Sequence, residues 1–217
     1  MIIGCDENNF SPSIAGDCVV TAYVAKKKVR GVKDSKILTH KKRLELFGKL
    51  HEAGSYSIVP ATVNDINEMG IYKARNLAIE FAICKLIRKV RANDIYYQGS
   101  IDKVLIDGYF KKEWLNDLST VLKIRYFGNY IPVECMVNGD KLIYEISAAS
   151  IIGKVYVDSL FKGFGSFFPG YDLEKCHGSP SKAMYAKLRE SGPTPYHRTN
   201  YGLGWWEKIM KGEGRDK

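Results

Sequence analysis

Apolar residues recur along this chain at two spacings, and the switches between them outline a succession of strands and helices. Ile2, Ile3, Gly4 and Cys5 form a short apolar run that Asp6 and Glu7 interrupt and the turn-forming Asn8 and Asn9 follow, which predicts a strand stopping at the acids. Val19 to Val24 is rich in β-formers and reads as a second strand, paired with the first across a turn at Gly16 and Asp17. VKDSKIL then leads into THKKRLELFGKLHEAG, where Leu44, Phe47, Leu50 and Ala53 recur at helical spacing and Gly54 is expected to stop the helix. Tyr56 to Val59 suits another strand. From about Asn64 the pattern is strongly helical, with a break near Gly70. KVLIDG, from Lys103, predicts a short buried strand ending in Asp107 and Gly108. A further helix is expected from about Tyr144 through Gly163, whose small Ser147, Ala148, Ala149 and Ser150 allow its backbone to lie close to a sheet. An aromatic and glycine loop, Gly163 to Pro169, and the basic segment EKCHGSPSK complete the pattern.

The first and the KVLIDG strands share one layout, an apolar run, an acid, then a turn. Ligands of open α/β sheets sit beyond strand ends, so the two acidic ends are expected to meet. In a regular strand successive side chains face opposite ways, so Asp6 and Glu7 reach one site only if the strand ends with them. Ile151, Val155 and Asp158 are spaced by four and three and share one helix face. A carboxylate continuing an apolar face needs a compensating partner, and a metal ion is one. Two plainer readings stay open: an exposed acidic strand end for Asp6 and Glu7, and a solvated helix rim for Asp158.

Composition narrows the classes. With 217 residues and 45% hydrophobic content the chain can bury one substantial core, and a single domain over residues 1–211 with a disordered tail at 212–217 is expected. Lysine and arginine total 33 against 24 acids, a net charge of +9 that favours a polyanionic partner, nucleic acid foremost. No stretch approaches the ~20 consecutive apolar residues of a membrane span; Ala78 to Ile87 is interrupted by Glu80 and Lys85. Met1 runs straight into Ile2, Ile3 and the acids without a basic leader, so a cytoplasmic location is expected, away from membranes. The five cysteines (Cys5, Cys18, Cys84, Cys135 and Cys176) are scattered and read as reduced thiols; Cys176 beside His177 has no second cysteine or histidine at zinc-ligand spacing.

The ordered set GCDE, VKDSK, LIDG, NGDKLIYEISAASIIGKVYVD and GPTPYHR resembles the type 2 ribonucleases H, the ribonuclease HII family, from Gly4 to about Tyr201. The AASI helix motif ending in an aspartate is the most specific part. The resemblance implies an α/β ribonuclease H-like fold, a mixed central sheet flanked by helices with a C-terminal helical portion. It also implies a metal-dependent endonuclease that hydrolyses the RNA strand of RNA–DNA hybrids, and it favours a monomer. The family's four acids fall on Asp6, Glu7, Asp107 and Asp158, the expected catalytic residues and ligands of a two-metal Mg2+ or Mn2+ site. Hard cations take oxygen ligands, and they let a phosphodiester approach an acidic cluster. Asp6 is expected to bridge the two ions. Ser35 and Lys36 of the DSK loop, Lys154 on the helix, Lys182, His197 and Arg198 match positions expected to contact nucleic acid or support the acids, and for His197 a plain structural role stays equally open.

The departures from the family pattern fall on substrate reading. Where relatives carry glycine-arginine-glycine against the ribose 2′ hydroxyls, this chain has Asn9, Phe10 and Ser11, and the lost glycines are expected to hinder close backbone approach. Ser179 stands where the family has a junction-packing tyrosine, Pro180 replaces a glycine, and Val157 replaces the arginine before the helix aspartate. Phe10 either stacks on a base or sugar or plugs the first turn. Altered or relaxed junction recognition follows from these losses. Two other readings remain: a nuclease turned to branched or damaged DNA, and a catalytically weak nucleic-acid-binding protein.

Overall fold

The computed structural model describes all residues except 11–12, 93–99, 126–129, 201–204 and 212–217. Ser11, the Tyr201 boundary and the expected tail at 212–217 therefore lie outside the described residues. Strands β1 (Ile2–Asn8), β2 (Cys18–Ala25), β3 (Gly54–Ala61), β4 (Lys103–Asp107) and β5 (Val133–Met136) make a five-stranded sheet in the order β3-β2-β1-β4-β5. The pairs β1/β4 and β4/β5 are parallel, with Cys5 opposite Ile106 and Asp107 opposite Met136. The helices are α1 (His40–Ala53), α2 (Val63–Met69), α3 (Ile71–Ala92), α4 (Lys112–Arg125), α5 (Gly139–Leu142), α6 (Tyr144–Phe167), α7 (Leu173–Cys176), α8 (Lys182–Ser191) and α9 (Trp205–Met210). Among the described residues no helix is long and apolar enough to cross a membrane.

The chain packs as two compact units. The first comprises Met1–Glu7, Val20–Val59 and Ile79–Val155. Its core joins Tyr23, Leu38, Leu46 and Leu50 to Ala148, Ala149, Ile151 and Ile152 of α6. The small residues of α6 do what their size suggests: Ser147, Ala148, Ala149 and Ser150 are all buried. A Cβ on Gly4 would strike the backbone of Glu145 and Ile146, so β1 and α6 meet with no side chain between them. Thr39 starts α1 by accepting a hydrogen bond from the Lys42 N–H at 3.2 Å. The buried face of α1 is Leu46, Leu50 and Ala53, while Leu44 is 48% exposed. Of the expected Leu44, Phe47, Leu50 and Ala53, the last three lie toward the core and only Leu44 does not; Leu46 packs there in its place, at roughly 2 kcal/mol for each buried leucine. Gly54 ends α1 in extended backbone rather than a left-handed cap. Its lack of a side chain serves close approach instead, since a Cβ there would meet Tyr23 and the Val24 carbonyl.

The second unit comprises Asn8–Val19, Pro60–Ala78 and Tyr156–Lys217. Thr62 and Asp65 form a reciprocal capping box at the start of α2. Gly70, at φ 83°, produces the expected break before α3. The residues around Ala15 are held by backbone hydrogen bonds from Ile14 N–H to Gly178 O (2.8 Å), Gly16 N–H to Tyr196 O (2.8 Å) and Arg198 N–H to Ile14 O (2.9 Å). Gly178 is required there: its φ is 77°, and a Cβ would strike the Ala15 carbonyl and the Phe161 ring. The loop expected at Gly163 to Pro169 is helical through Phe167, because Phe161 and Phe164 stay on the buried face, and the Phe164 ring packs at a tilt against Tyr196, centroids 3.9 Å apart.

Candidate active site

The parallel register places Cys5 opposite Ile106, which sets Asp6 and Asp107 at one level of neighbouring strands. Asp6 is 5% exposed. Burial raises its carboxyl well above the usual range, and the charges of Glu7, Asp107 and Asp140 add to that, against a hydrogen bond from Ser150. Burial also raises Asp107, with Asp140 beside it; the Gly139 N–H, donated to Asp107 Oδ1 at 2.7 Å, and the Lys36 charge act in the opposite direction. β1 does not stop at the acids, as expected, but runs through Asn8. Glu7 reaches the β4 end through its longer side chain: Oε1 lies 3.9 Å from where a Cβ on Gly108 would sit.

A fifth acid, Asp140, belongs to this group and was not singled out in the sequence. It lies in the first turn of α5, is 2% exposed, and its Oδ2 accepts a hydrogen bond from Lys36 Nζ at 3.1 Å. Burial would lower Lys36, but the hydrogen bond and charge of Asp140, with Asp34 and Asp6, hold it above the usual ammonium value. The signal for Asp140 was present in NGDKL, a carboxylate just after a left-handed Asn138 (φ 60°) and at the head of a helix. Ser35 is buried, its hydroxyl 2.9 Å from that of Ser150, so it supports the Ser150 that faces Asp6. Lys154 is half-buried on α6 in the same unit.

Asp158 lies in the second unit, 8% exposed, with Oδ1 3.6 Å from His177 Nε2. His177 adopts a left-handed φ of 48°, which a non-glycine residue rarely takes. Ser179 is half-buried in the turn that follows, its N–H donated to Cys176 O at 2.9 Å, and Lys182 is exposed at the first position of α8.

Arg198 departs from the expected contact with nucleic acid, and His197 takes the structural role left open for it. Arg198 is 0% exposed, and its guanidinium donates to the carbonyls of Gly16 (2.8 Å), Phe10 (2.7 Å), Ser13 (3.0 Å) and Asn9. These acceptors lie some 180 positions earlier in the chain, so the arginine folds the segment after β1 instead of facing solvent. His197 is 1% exposed, and burial lowers its imidazole to about 4; Nδ1 accepts the Thr194 N–H at 3.0 Å, leaving the ring proton on Nε2. Asn9 resolves the question of the lost glycine. It takes a left-handed φ of 61°, the conformation a glycine would supply, and its Nδ2 donates to the carbonyls of Ala15 (3.0 Å) and Asp17 (2.8 Å). Phe10 is half-buried against Tyr72 and Arg75.

Among the described residues no group of three His, Cys, Asp or Glu side chains is arranged so that it could hold a metal ion. The donor chemistry nevertheless suits a hard divalent cation: the acids at the β1 and β4 ends offer only oxygen, and a bound cation would relieve the burial and mutual repulsion that raise Asp6 and Asp107.

The sequence profile described as Ribonuclease HII matches residues 3–204. The chain is 31% identical over 202 residues to the Ribonuclease HII of Ruegeria pomeroyi, covering 92% of this chain and 75% of that protein. It is 33% identical over 204 residues to that of Cupriavidus pinatubonensis, covering 92% and 83%. Among solved structures it resembles the PCNA:RNase HII complex from Archaeoglobus fulgidus (TM-score 0.71, 18% identity, 100% of this chain and 98% of that one). It also resembles Bst-RNase HIII in complex with Mn2+ (TM-score 0.71, 18% identity, 99% and 70%). These two likenesses establish the α/β ribonuclease H-like fold. With the profile spanning nearly the whole chain and relatives above 30% identity along most of their length, the chain belongs to the ribonuclease HII family of endonucleases.

Proposed function

We propose that this chain hydrolyses the RNA strand of RNA–DNA hybrids with Asp6, Glu7 and Asp107 as ligands of two divalent cations, Mg2+ or Mn2+. Asp158 is assigned as the fourth ligand from its place at the end of the AASI helix motif. The observation that carries the reading is the placement of Asp6 and Asp107 at one level of neighbouring strands, where the charges of Glu7 and Asp107 add to the burial that raises Asp6. When bound, the cations supply charge neutralisation for the phosphate and Lewis-acid activation of water.

The chain's own residues do the remaining work. Ser150 hydrogen-bonds Asp6, and the Gly139 N–H fixes Asp107 Oδ1, so both carboxylates are oriented before any ligand arrives. Lys36, tied to Asp140, keeps a cation beside the acids and limits their repulsion of a phosphate. Junction recognition is relaxed relative to the family pattern, because Phe10 and Ser179 stand where an arginine and a tyrosine are found in relatives.

The test is a cleavage panel in Mg2+ and in Mn2+: RNA–DNA hybrid, DNA with one embedded ribonucleotide, duplex RNA, duplex DNA and a four-way DNA junction. The hybrid is expected to be cut by the parent and to survive Asp6→Asn and Asp107→Asn. Variants that cut as the parent does would remove the metal assignment, and cutting of duplex DNA or the junction alone would move the substrate to DNA.

A further inference from the structure

Three side chains of the second unit form a group that the metal chemistry does not use. Phe10 and Tyr72 meet edge to face with ring centroids 5.5 Å apart. The Arg75 guanidinium lies 4.6 Å from the Phe10 ring centre and 5.6 Å from that of Tyr72. Arg75 is 7% exposed and is steadied by Nε and Nη2 hydrogen bonds to Asn76 Oδ1 at 3.2 and 3.0 Å. Tyr72, in contrast, is 68% exposed. Exposed Lys73 follows it on the first turn of α3, and Phe10 stands three residues after Glu7 in the chain.

A fold gains little by bracing an aromatic ring and then leaving it in water. Cation–π and edge contacts restrict the Tyr72 ring, so a partner that stacks on it pays less ordering entropy. Every nucleobase has a flat π face, and a sugar has an apolar one. Exposed Lys73, the next residue of α3, offers a cation for the phosphate that accompanies either group. We infer that Tyr72, braced by Phe10 and Arg75, is a stacking platform for one nucleotide of the bound substrate, taking either an unstacked base or an exposed sugar face.

This rests on nucleic acid being the substrate, as proposed above. The chain therefore holds its substrate near the segment after β1 through an aromatic surface supplied partly by α3. Tyr72 becomes a specificity-determining residue that no match to the family motifs marks.

The experiment measures fluorescence anisotropy of two labelled RNA–DNA hybrids, one continuous and one with a single bulged nucleotide, against the full-length protein with Ca2+ in place of Mg2+. Tyr72→Ala is expected to weaken binding about tenfold, within the usual range for aromatic stacking, and to leave the salt dependence unchanged. Tyr72→Phe should bind within about twofold of the parent, since the ring and not the hydroxyl carries the contact. Lys73→Ala should instead lower the slope of log K against log salt by about one. Loss on the bulged hybrid alone assigns the base, and equal loss on both assigns the sugar. Tyr72→Ala binding both hybrids as the parent does, or Tyr72→Phe failing as badly as Tyr72→Ala, overturns the platform while leaving the nuclease reading intact. A parent that binds neither hybrid overturns the reading on which the platform rests. Unchanged thermal unfolding of Tyr72→Ala, expected for so exposed a side chain, separates lost stacking from lost structure.

Discussion

Replacing Arg198 by methionine should cost more stability than any change at the metal-site acids, although the sequence places this arginine among the groups that touch nucleic acid. Its guanidinium is 0% exposed and donates to four backbone carbonyls, those of Asn9, Phe10, Ser13 and Gly16. Methionine fills much of the same volume and makes none of these bonds. At about 1 kcal/mol for each lost bond, the typical net value for a neutral pair and below the range for a charged donor, the loss is at least about 4 kcal/mol. Marginal stabilities are roughly 5–15 kcal/mol, so a large share would be gone. Arg198→Lys restores a charge but not the fork that reaches four acceptors, and should recover less than half. Urea unfolding followed by tryptophan fluorescence is a suitable assay, because the Trp206 indole N–H donates to the Arg198 carbonyl at 2.8 Å and reports on the same segment. An Arg198→Met protein within about 1 kcal/mol of the parent, combined with a salt slope of nucleic-acid binding reduced by about one, would refute the structural assignment and return Arg198 to a phosphate contact.

Two further outcomes follow from the buried titratable groups. His197 is held neutral with its folded value lowered to about 4, against an unfolded value near 6.5. Its contribution is thus fully present above pH 6.5 and is lost as pH falls through 4, a change of about 3 kcal/mol; an NMR titration of the His197 ring with its midpoint near 6.5 would contradict this. Asp140→Asn removes a charge from beside Asp6 and Asp107 and releases Lys36, so Mn2+ binding measured by calorimetry should weaken about tenfold, and an unchanged affinity would show that Asp140 serves the fold alone.

What could be read from the sequence was whatever depended on neighbours in the chain. The apolar runs of β1 and β4, the acids that close them and the small-residue face of α6 are local patterns, and each led to the element observed. On α1 the expected Leu50 and Ala53 are buried and Phe47 packs against the core, while Leu44 is exposed and Leu46 takes the place inside, both leucines fitting helical spacing with Leu50. Only packing against Ala148 and Ile152 distinguishes them. The partners of Arg198 lie 182 to 189 positions away, and no periodicity marks such a bond. Phe10 could not be assigned from its neighbours for the same reason, since Tyr72 and Arg75 decide its surroundings.

Asn9 shows why the losses in the substrate-reading motif are less disruptive to the backbone than residue types alone suggest. A glycine at that position gives freedom of φ, whereas asparagine gives the same left-handed φ only with side-chain support. Here the support is present: Nδ2 donates to the Ala15 and Asp17 carbonyls, and the Asn9 carbonyl accepts from Arg198. The turn after β1 therefore keeps its conformation while its surface chemistry changes from a cation to an aromatic ring. That combination favours a nuclease whose grip on the substrate has been altered over one whose active-site strand has been deformed. On the reading proposed above, the alteration falls at Phe10 and its brace on α3, with the exposed Tyr72 ring offered for stacking.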